Sequence, residues 1–173
     1  MGNKKRSEPM IIVSACLAGI RSVNYPSFLC EDPVVQELVA DGKALPLCAE
    51  QLGGLPTPRP PAGFHGGKAE DFWVGSSRLV TRVVSTEGDD YSEAFLRGAR
   101  EILRIAELTG ATKAILNDGS PTCGVTRTSY YEEDGALVHG PGCGALTWLL
   151  RENGVEVYTL DMWQETFGSL PSD

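Results

Sequence analysis

The hydrophobic pattern sorts the chain into short unbroken apolar runs and longer runs of helical period. Met10-Ile-Ile-Val-Ser-Ala15 is β-branched and lacks polar alternation, the pattern of a strand buried on both faces. Asp32 followed by Pro33 reads as an N-cap with proline at the first helical position. Val34, Val35, Leu38 and Val39 continue at helical spacing to Gly42. Ala44-Leu-Pro-Leu47 reads as a second strand whose proline suits a strand start or an edge. Gly53 to Ser77 collects glycine and proline and predicts an irregular loop, long enough to act as a functional cover. Leu79-Val-Thr-Arg-Val-Val84 predicts a strand or hairpin arm. Tyr91 to Thr109 predicts a helix with a broad apolar face stopped by Gly110. Lys113-Ala-Ile-Leu116 predicts a strand, the glycine-flanked segment from Gly140 to Gly144 leads into a helix ending at Asn153-Gly154, and Val155 to Tyr158 predicts a last strand.

Strands alternating with helices indicate right-handed crossovers feeding a parallel sheet. The expected fold is therefore an α/β Rossmann-like three-layer sandwich with a mostly parallel sheet. It is read as one domain over residues 10–173, behind a flexible polar leader at 1–9.

Charge narrows the class of partner. The 173 residues carry 15 basic and 23 acidic side chains, a formal charge of -8, so a long nucleic acid would meet net repulsion. No stretch approaches the roughly 20 apolar residues of a membrane span, and the start lacks the apolar core of a signal peptide. A cytoplasmic protein is expected.

Five cysteines, an odd number with no Cys-x-x-Cys pair, do not suit a disulfide framework. Taken singly, each is explained as a small buried hydrophobe. Their places say more. Cys16, Cys48 and Cys123 each follow a predicted strand, two at once and the third within the loop Asn117-Asp-Gly-Ser-Pro-Thr-Cys123-Gly124. Ligands of open parallel sheets bind beyond the carboxyl ends of the strands, so these three thiols are expected to face one another. Soft thiolates select zinc, copper(I) or iron-sulfur clusters. Zinc needs a fourth ligand, for which only His65 and His139 are at hand. A [4Fe-4S] cube held by three cysteines would keep one iron open as a Lewis acid for sulfur. Cys30 or Cys143 could close that cluster site, although both are read as structural.

At these residues the chain resembles the thiouracil desulfidase family of bacterial proteins. The segments are Ser14-Ala-Cys-Leu-Ala-Gly19, Cys48-Ala-Glu-Gln-Leu-Gly-Gly-Leu-Pro-Thr-Pro-Arg-Pro-Pro61, Phe95-Leu-Arg-Gly-Ala99, Ser120-Pro-Thr-Cys-Gly124 and Leu149-Leu-Arg-Glu-Asn-Gly-Val-Glu-Val157. They occur in the family's order, from about Ile11 to Val157, and the segment from Cys48 to Pro61 is long enough to be specific. The resemblance implies a Rossmann-like domain with a [4Fe-4S] cluster on Cys16, Cys48 and Cys123, its fourth iron free, and hydrolytic removal of sulfur from thiolated uracils. It also implies Glu50 as the acid/base group and Ser120 as the catalytic serine. Both roles are chemically sound: a carboxyl beside the cluster can exchange protons with a water nucleophile or ring nitrogen, and a serine hydroxyl can orient either. The implied reaction has water, activated by Glu50, attack the ring carbon while sulfur departs as hydrosulfide from the open iron.

Arg59 offers a planar fork for a carbonyl or phosphate, and Asn117 at a strand end is a second candidate for substrate contact. Asn117 and Asp118 also suit a plain turn-forming role. Trp73, Trp148 and Trp163 show no spacing that argues for base stacking. The chain departs from the family at Ser22-Val-Asn24, where relatives commonly have Cys-Arg-Tyr, at Ala49, which replaces proline, and at Thr122, which replaces serine. The competing reading is a non-enzymatic thiolate site, either structural zinc or a redox or sulfur-binding sensor.

Overall fold

A computed structural model describes residues 9–22, 30–74 and 81–168. The expected leader, all but its last residue, and the departures at Val23 and Asn24 lie outside these. β1 (Ile11–Ser14) passes directly into a 3-10 turn, Ala15–Ala18, and α1 (Pro33–Ala40) and β2 (Ala44–Leu47) follow. Next come the single turn α2 (Ala49–Leu52), β3 (Ala62–His65), α3 (Ala69–Val74), β4 (Arg82–Ser85), α4 (Ser92–Thr109) and β5 (Lys113–Ile115). The chain continues with β6 (Arg127–Tyr131), β7 (Leu137–Pro141), α5 (Ala145–Glu152), β8 (Glu156–Tyr158) and α6 (Leu160–Phe167).

The first sheet has the order β2-β1-β5-β8 and is parallel throughout. Ile12 lies opposite Leu45 on one side and Ala114 on the other. Proline is accommodated at Pro46 because β2 is an edge strand. One face of the sheet buries Ile12, Ala99, Ile102, Ala106, Leu146 and Leu150 beneath α4 and α5; the other buries Val13, Val35, Leu38, Ile115 and Trp163 beneath α1 and α6. These are the expected three layers. The N-cap also forms as expected, with Asp32 Oδ1 accepting from the Val34 amide at 2.8 Å.

A second sheet, in the order β4-β3-β6-β7, is the main correction. The stretch from Gly53 to Ser77 is not irregular throughout, because β3 and α3 form within it; residues 75–77 lie outside the described set. β3 pairs antiparallel with β4, which occupies the end of the expected arm, and parallel with β6 through Phe64 and Tyr130. β6 and β7, which no apolar run announces, form a hairpin with Ser129 opposite His139. A third core of Phe64, Phe72, Val83, Tyr91, Phe95 and Ala145 lies under this sheet. Such short elements exist because tertiary pairing supplies their partners, not because their own residues insist on it.

Candidate active site

The carboxyl ends of β1, β2 and β5 each deliver a cysteine. Cys16 sits in the 3-10 turn, Cys48 is the N-cap residue of α2, and Cys123 lies in the turn that leads from β5 towards β6. Their sulfurs are near enough to act on one another. The Cys16 thiol is held far above the ordinary cysteine range by its hydrogen bond with Cys30, by burial, and by the charges that Cys123, Cys30 and Cys48 would carry. Burial is the largest influence on Cys123 and pushes it up to about 12, with Cys48 and Glu50 adding to it and Ser14 and Arg59 opposing. Cys143 keeps apart, its thiol raised chiefly by burial and opposed by Arg151. Cys30, read from the sequence as structural, proves to be a neighbour of Cys16.

Glu50 stands on the first turn of α2 and is gripped from two sides. Arg59 Nε forms an ion pair with its Oε2, and Thr122 Oγ1 donates to its Oε1 at 2.7 Å. Arg59 is not a surface charge: its side chain is 4% exposed, against 18% for Glu50. Its guanidinium also donates to Cys48 Sγ at 3.7 Å, to the Pro56 carbonyl at 3.2 Å and to Thr57 Oγ1 at 3.3 Å. Burial opposes the charge of Arg59, yet Glu50 and Cys48 outweigh it and hold the group above its ordinary range. One planar fork therefore ties the carboxylate to the sulfur beside it.

Ser120 is held by its own loop, its Oγ accepting from the amides of Thr122 at 3.0 Å and Cys123 at 3.2 Å. Both bonds use oxygen lone pairs, which leaves the hydroxyl proton for another acceptor. Asp118 shapes this loop. Its carboxylate accepts from the amides of Val125 at 2.7 Å and of Thr126 and Arg127 at 3.0 Å each, and from Thr126 Oγ1. Desolvation works against that charge, and the hydrogen bonds led by Thr126 overcome it, so the carboxyl lies below its usual range.

Glu50, Arg59, Asn117, Asp118 and Ser120 all line one cavity of about 360 Å³, together with Pro60, Pro61 and Phe95. This volume suits a small organic ligand. Ser129 and His139 of the second sheet complete its wall, and neither was singled out from the sequence as a substrate contact. Among the described residues no three His, Cys, Asp or Glu side chains converge as ligands of a single ion. His65 faces Tyr131 at 6.1 Å between ring centroids, and His139 is bonded through Nδ1 to the second sheet. The fourth ligand a zinc site would need is thus not at hand among these histidines.

The sequence pattern of the 2-thiouracil desulfurase family matches residues 11–161. The chain belongs to that family. It is 35% identical over 148 residues to the protein YbbK of Bacillus subtilis (strain 168), covering 86% of this chain and 93% of that protein. A solved structure of TudS, a [4Fe-4S]-dependent thiouracil desulfidase, superposes with a TM-score of 0.72 at 35% identity, covering 91% of this chain and 95% of the other. The family's departures also acquire a setting. Ala49 occupies the first position of α2, where proline is equally at home. Thr122 keeps the hydroxyl a serine would bring and gives it to Glu50. Ser22 is buried, its carbonyl 3.9 Å from Cys48 Sγ, and its own hydroxyl has no partner among the described residues. No helix among the described residues is long and apolar enough to cross a membrane.

Proposed function

We propose that this chain hydrolyses a thiolated uracil, as base, nucleoside or nucleotide, to the oxo pyrimidine and hydrosulfide, using a [4Fe-4S] cluster held by Cys16, Cys48 and Cys123. Family membership makes it an enzyme of the desulfurase kind, and the similar structure, TudS, is that of a [4Fe-4S]-dependent desulfidase. The donor set fits such a cluster. Partly buried sulfurs that repel one another as thiolates need positive charge between them, and a cube takes each thiolate on a different iron, so the sulfurs need not converge on one point. The Ser22 hydroxyl, without a partner among the described residues, sits on a residue whose carbonyl is 3.9 Å from Cys48 Sγ and is a further polar group that a sulfur-rich cofactor could engage.

When bound, the cluster supplies an iron without a protein ligand, a Lewis acid with affinity for the thiocarbonyl sulfur. The protein supplies the remainder. Glu50 takes a proton from the attacking water and later delivers it to the departing sulfur, while Arg59 and Thr122 keep its carboxylate in register. Water oxygen bonds to the ring carbon, the carbon-sulfur bond breaks with its electron pair on sulfur, and no net redox change occurs. Ser120 directs its free proton to the water or the substrate, and the Asn117 amide offers a donor and an acceptor to the ring edge. Arg59 spends most of its fork on the protein, so it acts chiefly through Glu50 and Cys48.

The observation that carries this reading is the shared cavity. Glu50, two residues after Cys48, and Ser120, three before Cys123, line the same space. Anaerobic reconstitution tests it. Brown protein with iron and acid-labile sulfide, releasing hydrosulfide from thiouracils or their nucleosides and nucleotides, is the expected outcome. Colourless protein with stoichiometric zinc would favour the non-enzymatic thiolate site. Glu50→Gln should keep the colour and abolish turnover, whereas Ser at Cys16, Cys48 or Cys123 should bleach the protein.

A further inference from the structure

His139 faces the cavity from the second sheet, which delivers none of the three cysteines. It stands on β7 directly opposite Ser129 of β6, and its ring is fixed through one nitrogen. Nδ1 lies 3.1 Å from both the Ser129 hydroxyl and the Gly119 carbonyl. Ser129 Oγ itself donates to that same carbonyl at 2.9 Å.

The Gly119 carbonyl assigns the tautomer: it can only accept, so a proton on Nδ1 serves it where a lone pair would face it. In the neutral ring the lone pair then belongs to Nε2, for which no partner exists among the described residues. An acceptor of this kind is scarce in the cavity. Glu50 is reserved for the attacking water, held by Arg59 and Thr122, and both oxygens of Asp118 are engaged by its loop, so beside Nε2 the ring N–H groups find the Asn117 amide oxygen. A pyrimidine with a lactam or thiolactam edge presents ring N–H groups that need such an acceptor.

We propose that His139 is a substrate-positioning residue that donates through Nδ1 to the Gly119 carbonyl and accepts through Nε2 a hydrogen bond from a ring N–H of the pyrimidine. This rests on the thiouracil reading and extends it to a residue outside the cysteine-bearing loops. The Ser120 loop and the histidine are joined at Gly119, so the base is held by the same loop that presents the catalytic serine.

Calorimetry of the anaerobic holoenzyme tests it with uracil, 1-methyluracil and 3-methyluracil. The wild-type protein should prefer uracil to one of the methylated forms by about five- to tenfold, the worth of one hydrogen bond. His139→Ala should weaken uracil by a similar factor and lose that preference, with iron content unchanged. His139→Gln, whose carboxamide oxygen can reach the place of Nε2, should recover part of both. In turnover of a thiouracil, the alanine variant should raise KM more than it lowers kcat. Wild-type affinity and preference in His139→Ala would overturn the proposal while leaving the desulfidase reading intact. Failure of the wild-type holoenzyme to bind any of the three ligands would also overturn the proposal, while hydrosulfide release decides the desulfidase reading separately.

Discussion

Thr122 illustrates how little of a side chain the site needs. Its hydroxyl donates to Glu50 Oε1 at 2.7 Å while its residue is wholly buried, so the bond is shielded from water. A hydrogen bond to a charged group contributes about 1.5–3 kcal/mol. Thr122→Val, nearly isosteric but without the donor, should therefore lower kcat by about tenfold or more through a misplaced carboxylate. Thr122→Ser should behave like the wild type, and stopped hydrosulfide assays on both variants would decide. Asp118 works at the same scale on the loop. Its carboxyl is held below the ordinary range, so the stabilisation is present above the pKa of the unfolded chain and is lost as pH falls through the lower folded value. Asp118→Asn should lower stability at neutral pH and flatten the loss of stability in acid, measurable as thermal midpoints between about pH 7 and 3.

At the scale of elements, the position of Glu50 depends on α2 lying almost in contact with α4. Gly53 and Gly98 make the approach possible. A Cβ at Gly98 would fall 1.7 Å from the Ala49 carbonyl oxygen, and one at Gly53 would fall 2.1 Å from that of Ala94. Arg97 on α4 also donates to the Gly53 carbonyl through Nε at 3.1 Å. Because backbone is the obstacle, no rotamer change can relieve the clash. Gly98→Ala should cost about 3 kcal/mol or more, at or above the upper end for overpacked cores, and should displace Glu50 even where the protein still folds. A lowered thermal midpoint together with reduced turnover per cluster is the expected result. Trp73 performs a related task between α3 and α5, stacking on Trp148 and donating to the Ala145 carbonyl at 2.8 Å. Its ring packs two helices, in keeping with the absence of a base-stacking pattern in the sequence.

Across the whole molecule, the parallel sheet presents sulfur at three strand ends and the mixed sheet closes the cavity from the side. The parallel half was legible in advance. Its strands are unbroken apolar runs, its long helix has a clear period, and Asp32-Pro33 and Gly110 mark helix ends where they form. The mixed half was not. β6 and β7 carry Thr, Ser, Tyr, His and Gly without a sustained apolar face, β3 is set among glycines, and α2 is a single turn. Thr159, which accepts from the Met162 amide, was an overlooked cap signal for α6.

By itself the sequence determined the strand and helix periods, the ends of the strands, the cysteines beside them and the family to which they point. These are local properties, written in neighbouring residues and in the alternation of apolar and polar groups. Tertiary structure alone decided that Arg59 turns inward to Glu50, that Thr122 meets the same carboxylate, that Cys30 reaches Cys16, and that His139 stands over Gly119. Each of these pairs joins segments whose partners are chosen by how loops and sheets pack, and short-range patterning carries no record of that choice.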